Sequence, residues 1–356
     1  MNFRLRDDEK MPGRGAWWNP DNRFEDRSCV YEDDDIPEGP SRVPTRFLED
    51  ASQSIVTRND SPDVGFEYSV NPYRGCEHGC VYCFARPTHE YMGYSAGLDF
   101  ETTIFYKPRA PELLDTALAQ KSWQPRVIAF SGVTDPYQPI EREKKLTRGC
   151  LEVLARYRNP VAIVTKNRMV ARDVDLLSAM ASHQTAGVLI SLTTLDLDLN
   201  RKLEPRTSSP AQRLDTIQRL SEAGIPVGVL IAPVIPGLTD HEIPALLSAA
   251  RSAGARFAGY IMLRLPHAVA PLFTSWLEAY YPARKEKVEN RLRAMRGGAL
   301  YRSAFGERMR GTGFHADQVA NLFNVLHGKL GFESGRMDLR ADGFRPAGGA
   351  QLELGF

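Results

Sequence analysis

From Val64 onward the chain alternates short apolar runs with longer amphipathic stretches. Val127–Ser131 (VIAFS), Val161–Thr165 (VAIVT), Gly187–Leu192 (GVLISL), Pro226–Ala232 (PVGVLIA) and Phe257–Leu263 (FAGYIML) read as strands. The intervening text predicts helices over Ile140–Tyr157, Val170–Ala181, Pro210–Ala223 and Asp240–Ala253, with another near Phe273. Near-continuous apolar strands separated by helices predict a parallel sheet covered on its faces. A first strand at Phe66–Tyr73 (FEYSVNPY) brings the total to about six βα units. The expected fold is α/β: a partial (β/α)6 TIM-like barrel of parallel strands.

Local signals support these boundaries. Ser209 followed by Pro210 is an N-cap with proline in the first turn. Gly224 and Gly254 stand where helix-ending glycines belong. Residues 1–64 are polar and rich in Pro, Asp, Glu and Arg, which predicts an irregular extension. The paired Trp17 and Trp18 argue that part of it docks on the core. Residues 65–300 form the barrel, and 301–356 a C-terminal helical segment and tail. RKEKVENRLRAMRGG reads as a solvated helical face, and the Gly-rich RADGFRPAGGAQLELGF as a surface tail.

Composition narrows the function classes. At 356 residues and 42% hydrophobic content the chain can bury a sizeable core. A net charge of +1 advertises no strong nucleic-acid field. The charged start, MNFRLRDDEK, has no apolar signal region, and no long apolar run predicts a membrane span. A cytoplasmic location is expected. Five cysteines, three of them close together, suit a reducing compartment and a metal site better than a disulfide framework.

Those three are Cys76, Cys80 and Cys83, spaced Cys-x3-Cys-x2-Cys in NPYRGCEHGCVYCFARPTHE. Thiolates are soft ligands for iron–sulfur clusters or zinc. Gly75 and Gly79 let the backbone curve tightly around a bound group. Three sulfurs hold three corners of a [4Fe–4S] cubane and leave one iron open to a substrate or cofactor. Two other readings use the same residues. In a zinc-stabilised binding protein, His78 or His89 would be the fourth ligand. In an electron-transfer cluster, Cys29 or Cys150 would be.

The cysteine motif, with Tyr82 directly before its last cysteine, resembles that of the radical S-adenosylmethionine (SAM) superfamily. NPYRGCEHGCVYCFAR, SGVTDPYQPIE, TKN, SLTTLD and GVLIAPVIPGLTD together resemble the branch around spore photoproduct lyase, over roughly Val64 to Leu300. The resemblance implies a lyase-like enzyme in which the open iron chelates the amine and carboxylate of SAM. One-electron cleavage of SAM then yields a 5′-deoxyadenosyl radical that takes a hydrogen atom from substrate. It also implies an electron donor such as flavodoxin or ferredoxin.

By the same resemblance Tyr82 lies near the adenine. Ser131, Thr134, Asp135, Lys166 and Ser191 stand at the ends of successive predicted strands, where a βα barrel gathers its site. Asp135 is the expected acceptor for the methionine ammonium, and Lys166 the partner of its carboxylate. Glu204 and Arg206 are expected near the ribose or carboxylate. Read singly, Asp135-Pro136 is also an ordinary turn and Lys166-Asn167 an ordinary helix start. His267 stands at the end of the last strand as a substrate-site candidate. One departure counts against DNA-lesion repair of the spore photoproduct lyase type, although nucleic acid stays a possible substrate. That family's hydrogen-donating cysteine precedes a Ser/Thr-Asp pair, whereas Ser131-Gly132-Val133-Thr134-Asp135 has no thiol. Tyr137 is the candidate donor in its place.

Overall fold

The computed structural model describes Met11 and residues 13–25, 43–130 and 132–346. Cys29, Ser131 and the acidic stretch after Val30 lie outside the described residues, as does the chain after 346. The strands are β1 (Arg46–Glu49), β2 (Val56–Arg58), β3 (Tyr68–Val70), β4 (Tyr73–Arg74), β5 (Thr103–Tyr106), β6 (Ile128–Phe130), β7 (Val161–Thr165), β8 (Ala186–Ser191), β9 (Val227–Val234) and β10 (Phe257–Met262).

β3, β6, β7, β8, β9 and β10 pair in that order, each parallel to the next. Neighbours in the sheet are thus neighbours in the chain, as successive βα units require. β2 closes the β3 edge antiparallel. The result is an open, partial barrel. Its core is built from strand residues such as Phe130, Ile163, Val188 and Val229 and from the helices packed over them. Among the described residues no helix is long and apolar enough to cross a membrane.

The predicted strands fall within a residue or two of their observed bounds, except Phe66–Tyr73, which is divided between β3 and β4 in two different sheets. The helix over Pro210–Glu222 carries the expected cap: Gln212 N–H donates to Ser209 Oγ at 3.3 Å, and Ser209 N–H to Gln212 Oε1 at 3.0 Å. Such a box contributes about 1 kcal/mol.

Two further expectations are corrected. The helix over Ile140–Tyr157 is two, Glu141–Lys144 and Leu146–Tyr157, broken where Lys145 turns to φ 52°. The N-terminal extension is not wholly irregular: it supplies β1, which joins β5 and β4 in a second sheet, and β2. The C-terminal text lies on the surface as far as it is described, and is tied to the barrel. Arg340 N–H donates to Gln184 O, Arg345 N–H donates to Tyr157 O, and Phe344 stacks on Tyr157.

Trp17 is buried, as the paired tryptophans suggest, and meets Tyr280 edge-on at 6.3 Å. Gly15 lies against the cysteine loop so closely that a Cβ there would stand 1.7 Å from Gly79 O.

Candidate functional site

The cysteine loop follows β4 and lies across the C-terminal ends of the barrel strands. Two glycines shape it. Gly75 and Gly79 take φ 75° and 67°, values that side chains disfavour. A Cβ on Gly79 would also meet Glu101 Oε2 at 2.7 Å. The loop is held from several sides. Cys76 N–H donates to Phe100 O, Val81 N–H to Leu203 O, and Arg206 N–H to His78 O. Beneath it, buried Arg86 donates from Nε to Cys80 O at 3.0 Å and pairs with buried Glu101. Glu101 in turn accepts Gly15 N–H at 3.0 Å and Ala16 N–H at 2.8 Å. The N-terminal segment and the cysteine loop therefore share one buried carboxylate.

Cys76 and Cys80 are buried and Cys83 nearly so; none is disulfide-bonded. Burial, with Cys76 beside it, pushes the Cys83 thiol up to about 11. Burial and the Glu204 carboxylate hold the Cys80 thiol well above its ordinary value. Thiolates here are costly unless a cationic centre binds them, which is what iron supplies. Among the described residues no three His, Cys, Asp or Glu side chains gather as closely as a single metal ion requires. A cubane makes no such demand, since each thiolate binds its own iron. The donor set fits an iron–sulfur cluster.

Two histidines were open as zinc ligands. His78 Nδ1 lies 3.4 Å from Asp135 Oδ2, and its Nε2 is 3.1 Å from Asn167 Nδ2. Burial would lower its pKa, but Asp135 and Cys76 outweigh that and carry it up to about 10. A cation so engaged is a poor metal ligand. His89 is buried among Tyr94, Phe100 and Phe105, and burial depresses it to about 4.

The strand-end residues form two linked groups. Asp135, after β6, accepts Thr165 Oγ1–H at 2.7 Å, Lys166 N–H at 2.8 Å and Tyr137 N–H at 2.9 Å. Burial opposes its charge, yet His78 and these donors lower its pKa. Asp135 thereby ties the cysteine loop to the end of β7. Thr134 is buried beside it, 3.4 Å from Tyr73 O.

The second group centres on Glu204. Its Oε1 accepts from the Tyr82 hydroxyl and from Thr193 Oγ1, the latter at 2.7 Å. Its Oε2 accepts from Asn200 Nδ2 at 3.0 Å and from Arg213 Nη2. Burial would raise this carboxyl, but Arg213, Lys166 and the hydrogen bonds bring it down to about 2. Lys166 Nζ is 3.9 Å from Glu204 Oε1, 3.2 Å from Ala232 O and 5.9 Å from the Tyr82 ring centre. Its ammonium is part-exposed and makes its carboxylate contact at the limit of ion-pair distance. It is the cation of this group with capacity to spare. Ser191 is buried, with its carbonyl accepting from Arg213 Nη1 at 2.9 Å. Arg206 bridges Gly13 O and Glu77 Oε1.

The structure thus brings Tyr82, Thr134, Asp135, Lys166, Ser191, Glu204 and Arg206 to one end of the sheet around the three cysteines. It does not bring Tyr137 there. That hydroxyl donates to Asp173 Oδ2 at 3.1 Å, within the ion pairs of Arg148 and Arg172. His267 is exposed on a residue with φ 49° and faces Glu90. Cys150 is fully buried in the core. Thr193, Asn200 and Arg213 are site residues that the motif reading did not single out, and His78, considered there only as a zinc ligand, is the partner of Asp135.

The fold and site define an α/β protein with a three-cysteine loop across the strand ends of a parallel partial barrel. The sequence profile of the Radical SAM superfamily matches residues 70–250, and the chain belongs to that superfamily. An uncharacterized protein of Mycobacterium tuberculosis is 37% identical over 219 residues. That match covers 61% of this chain, and the chain spans 64% of the relative's length. A protein of Pseudomonas phage M6 described as a radical SAM Nalpha-GlyT isomerase is 26% identical over 174 residues, 49% of this chain and 34% of its own. Among solved structures, a spore photoproduct lyase mutant with bound AdoMet and dinucleoside spore photoproduct superposes with a TM-score of 0.56 at 16% identity. It covers 80% of this chain and 78% of the lyase. That likeness shows a shared fold.

Proposed function

We propose that the chain is a radical SAM enzyme in which Cys76, Cys80 and Cys83 hold three irons of a [4Fe–4S] cluster. The observation that carries this is the buried, glycine-shaped cysteine loop beside a strand-end cation, Lys166, in a chain of this superfamily. When bound, the cluster and SAM supply one-electron cleavage of the S–C5′ bond and a 5′-deoxyadenosyl radical for hydrogen abstraction from substrate.

The chain's own residues hold and enclose these groups. Lys166 takes the methionine carboxylate, since its ammonium is the least committed charge beside the loop. Tyr82, fixed through its hydroxyl by Glu204 and Thr193, offers its ring to the adenine. Thr134, Ser191 and Arg206 complete the polar wall. Glu204 and Asp135 act mainly by positioning: their oxygens are already occupied by protein donors. The buried loop excludes water from the reacting centre. Reduction requires an external one-electron donor such as flavodoxin or ferredoxin.

Anaerobic reconstitution tests the reading. It should give a brown protein with about four irons and four sulfides per chain that converts SAM to 5′-deoxyadenosine and methionine after reduction. A colourless protein with one zinc would refute it.

A DNA lesion is the second substrate reading, favoured by the fold shared with spore photoproduct lyase. Against a like mechanism, residues 132–135 carry no thiol and Cys150 is sealed in the core. Lesion-containing DNA should accelerate SAM cleavage if this reading holds; an unchanged rate removes it.

A further inference from the structure

Arg264 is a partly buried cation beside the site that forms no ion pair with a carboxylate among the described residues. It follows β10 by two residues, at the strand ends where the cysteine loop lies. Its guanidinium sits over the ring of Phe84, 4.7 Å from the ring centre. Phe84 directly follows Cys83 and is 46% exposed. The guanidinium is thus stacked on the residue next to the last cysteine.

Its remaining contacts are with neutral groups. Nη1 meets Met309 Sδ at 3.3 Å, and the Tyr301 hydroxyl accepts from the guanidinium. Nε is buried with no hydrogen-bond partner among the described residues. The nearest acid, Asp63, is committed elsewhere: it accepts Gly306 N–H at 2.7 Å and pairs with Arg308 Nε at 2.5 Å. Two more cations surround Arg264. Arg308 is one, and buried Arg296, which donates to Glu307 O and Leu263 O, is the other. Burial and Arg308 both act to lower the Arg264 pKa.

A partly buried guanidinium, crowded by like charge and left with a buried free N–H, is stabilised when an anion completes it. Its planar fork suits a two-oxygen partner, and Phe84 fixes the plane of that fork. Arg86 and Arg213, also at this end, each pair with a carboxylate of the chain; buried Arg296 shares an unpartnered Nε, but its Nη1 and Nη2 both donate to backbone carbonyls.

We infer that Arg264, stacked on Phe84, binds an anionic group of the substrate, a phosphate or a carboxylate, at the edge of the cysteine-loop site. The inference rests on the radical SAM reading for calling the occupant a substrate, but the anion site itself does not depend on a cluster. Arg264 is a substrate-binding residue, and Phe84 its positioning residue.

The test is calorimetric titration of the full chain with inorganic phosphate and, separately, with acetate, at ionic strength held constant with chloride. At least one anion should bind saturably, and Arg264→Gln should weaken it at least tenfold. Arg264→Lys, which keeps charge but not the fork, should fall between. Arg284→Gln, in the separate groove beside Tyr281 and Lys287, should change nothing. Phosphate binding more tightly than acetate assigns a phosphate substrate; the reverse assigns a carboxylate. If Arg264→Gln does not fold, a second measurement on the unaltered chain replaces it. Modification of Arg264 by phenylglyoxal, read by peptide mass spectrometry, should be slowed at least fivefold by the bound anion. No saturable binding, binding insensitive to Arg264→Gln, or modification indifferent to anion overturns the inference. SAM cleavage with no anion site would sink this inference alone; an anion site in a chain that forms no cluster would sink the functional reading alone.

Discussion

Arg213 and Glu204 form an ion pair that is closed to solvent on both sides, with side-chain exposures of 1% and 0%. Arg213 also donates to Ser208 O and Ser191 O, so one guanidinium joins the carboxylate to the end of β8. Removing one partner leaves the other charge buried alone, at a cost of about 3–5 kcal/mol. Arg213→Met is therefore expected to lower the melting temperature steeply. Arg213→Met combined with Glu204→Gln should recover part of the loss, checked by denaturant unfolding of the single and double variants.

The same carboxylate sets an acid limit. Glu204 is depressed from its ordinary value of 4.5 to about 2. Its folded-state pKa lies below the unfolded one, so its contribution is present above about 4.5 and is lost as pH falls towards about 2. The shift corresponds to an order of 3 kcal/mol. Unfolding free energy measured from pH 6 down to pH 3 should fall more steeply in the parent chain than in Glu204→Gln.

Gly15 carries a packing prediction. A Cβ there cannot coexist with Gly79 O at 1.7 Å, so the N-terminal segment or the cysteine loop must shift. Gly15→Ala should cost about 1–3 kcal/mol. It should also speed proteolysis in the first twenty-five residues, read by mass spectrometry. Gly13→Ala has open space for its Cβ but strained φ, and should cost about 1 kcal/mol without that change in cleavage.

Lys166 should matter for SAM more than for folding. Its ammonium is part-exposed and its strongest contact is a backbone carbonyl. Lys166→Met should weaken SAM binding by about tenfold to a hundredfold, the worth of one charge-assisted hydrogen bond. Calorimetry on the reconstituted protein reads the affinity, and thermal unfolding should shift little.

Much of the barrel was legible because its strands, covered on both faces, are continuous apolar runs: Val161–Thr165 coincides with β7 to the residue. The cysteines were legible because their spacing and flanking glycines need no tertiary context. The network behind them was not. Glu204 was named from its motif, but its partner Asn200 was not: it is delivered by a short helix, Leu197–Leu203, whose text is mostly polar. Its one clear signal was Asp196, whose side chain caps it. Arg213 was not singled out, because an arginine in an amphipathic helix ordinarily faces solvent. It shares a face with Ile217 and Leu220 at helical spacing, which places it inward. The break at Lys145 left no Gly or Pro in the text to mark it. Strands β1, β2 and β5 were missed because each is short and stabilised by distant partners.

The central claim is that Cys76, Cys80 and Cys83 hold an iron–sulfur cluster that opens SAM. It is tested most directly on anaerobically reconstituted protein by measuring iron, sulfide and 5′-deoxyadenosine together, beside Cys80→Ala. The account predicts about four irons and four sulfides per chain, 5′-deoxyadenosine formed only after reduction, and loss of all three signals in the variant. An intact cluster in Cys80→Ala, or a fully loaded parent protein that leaves SAM uncleaved after reduction, would contradict it.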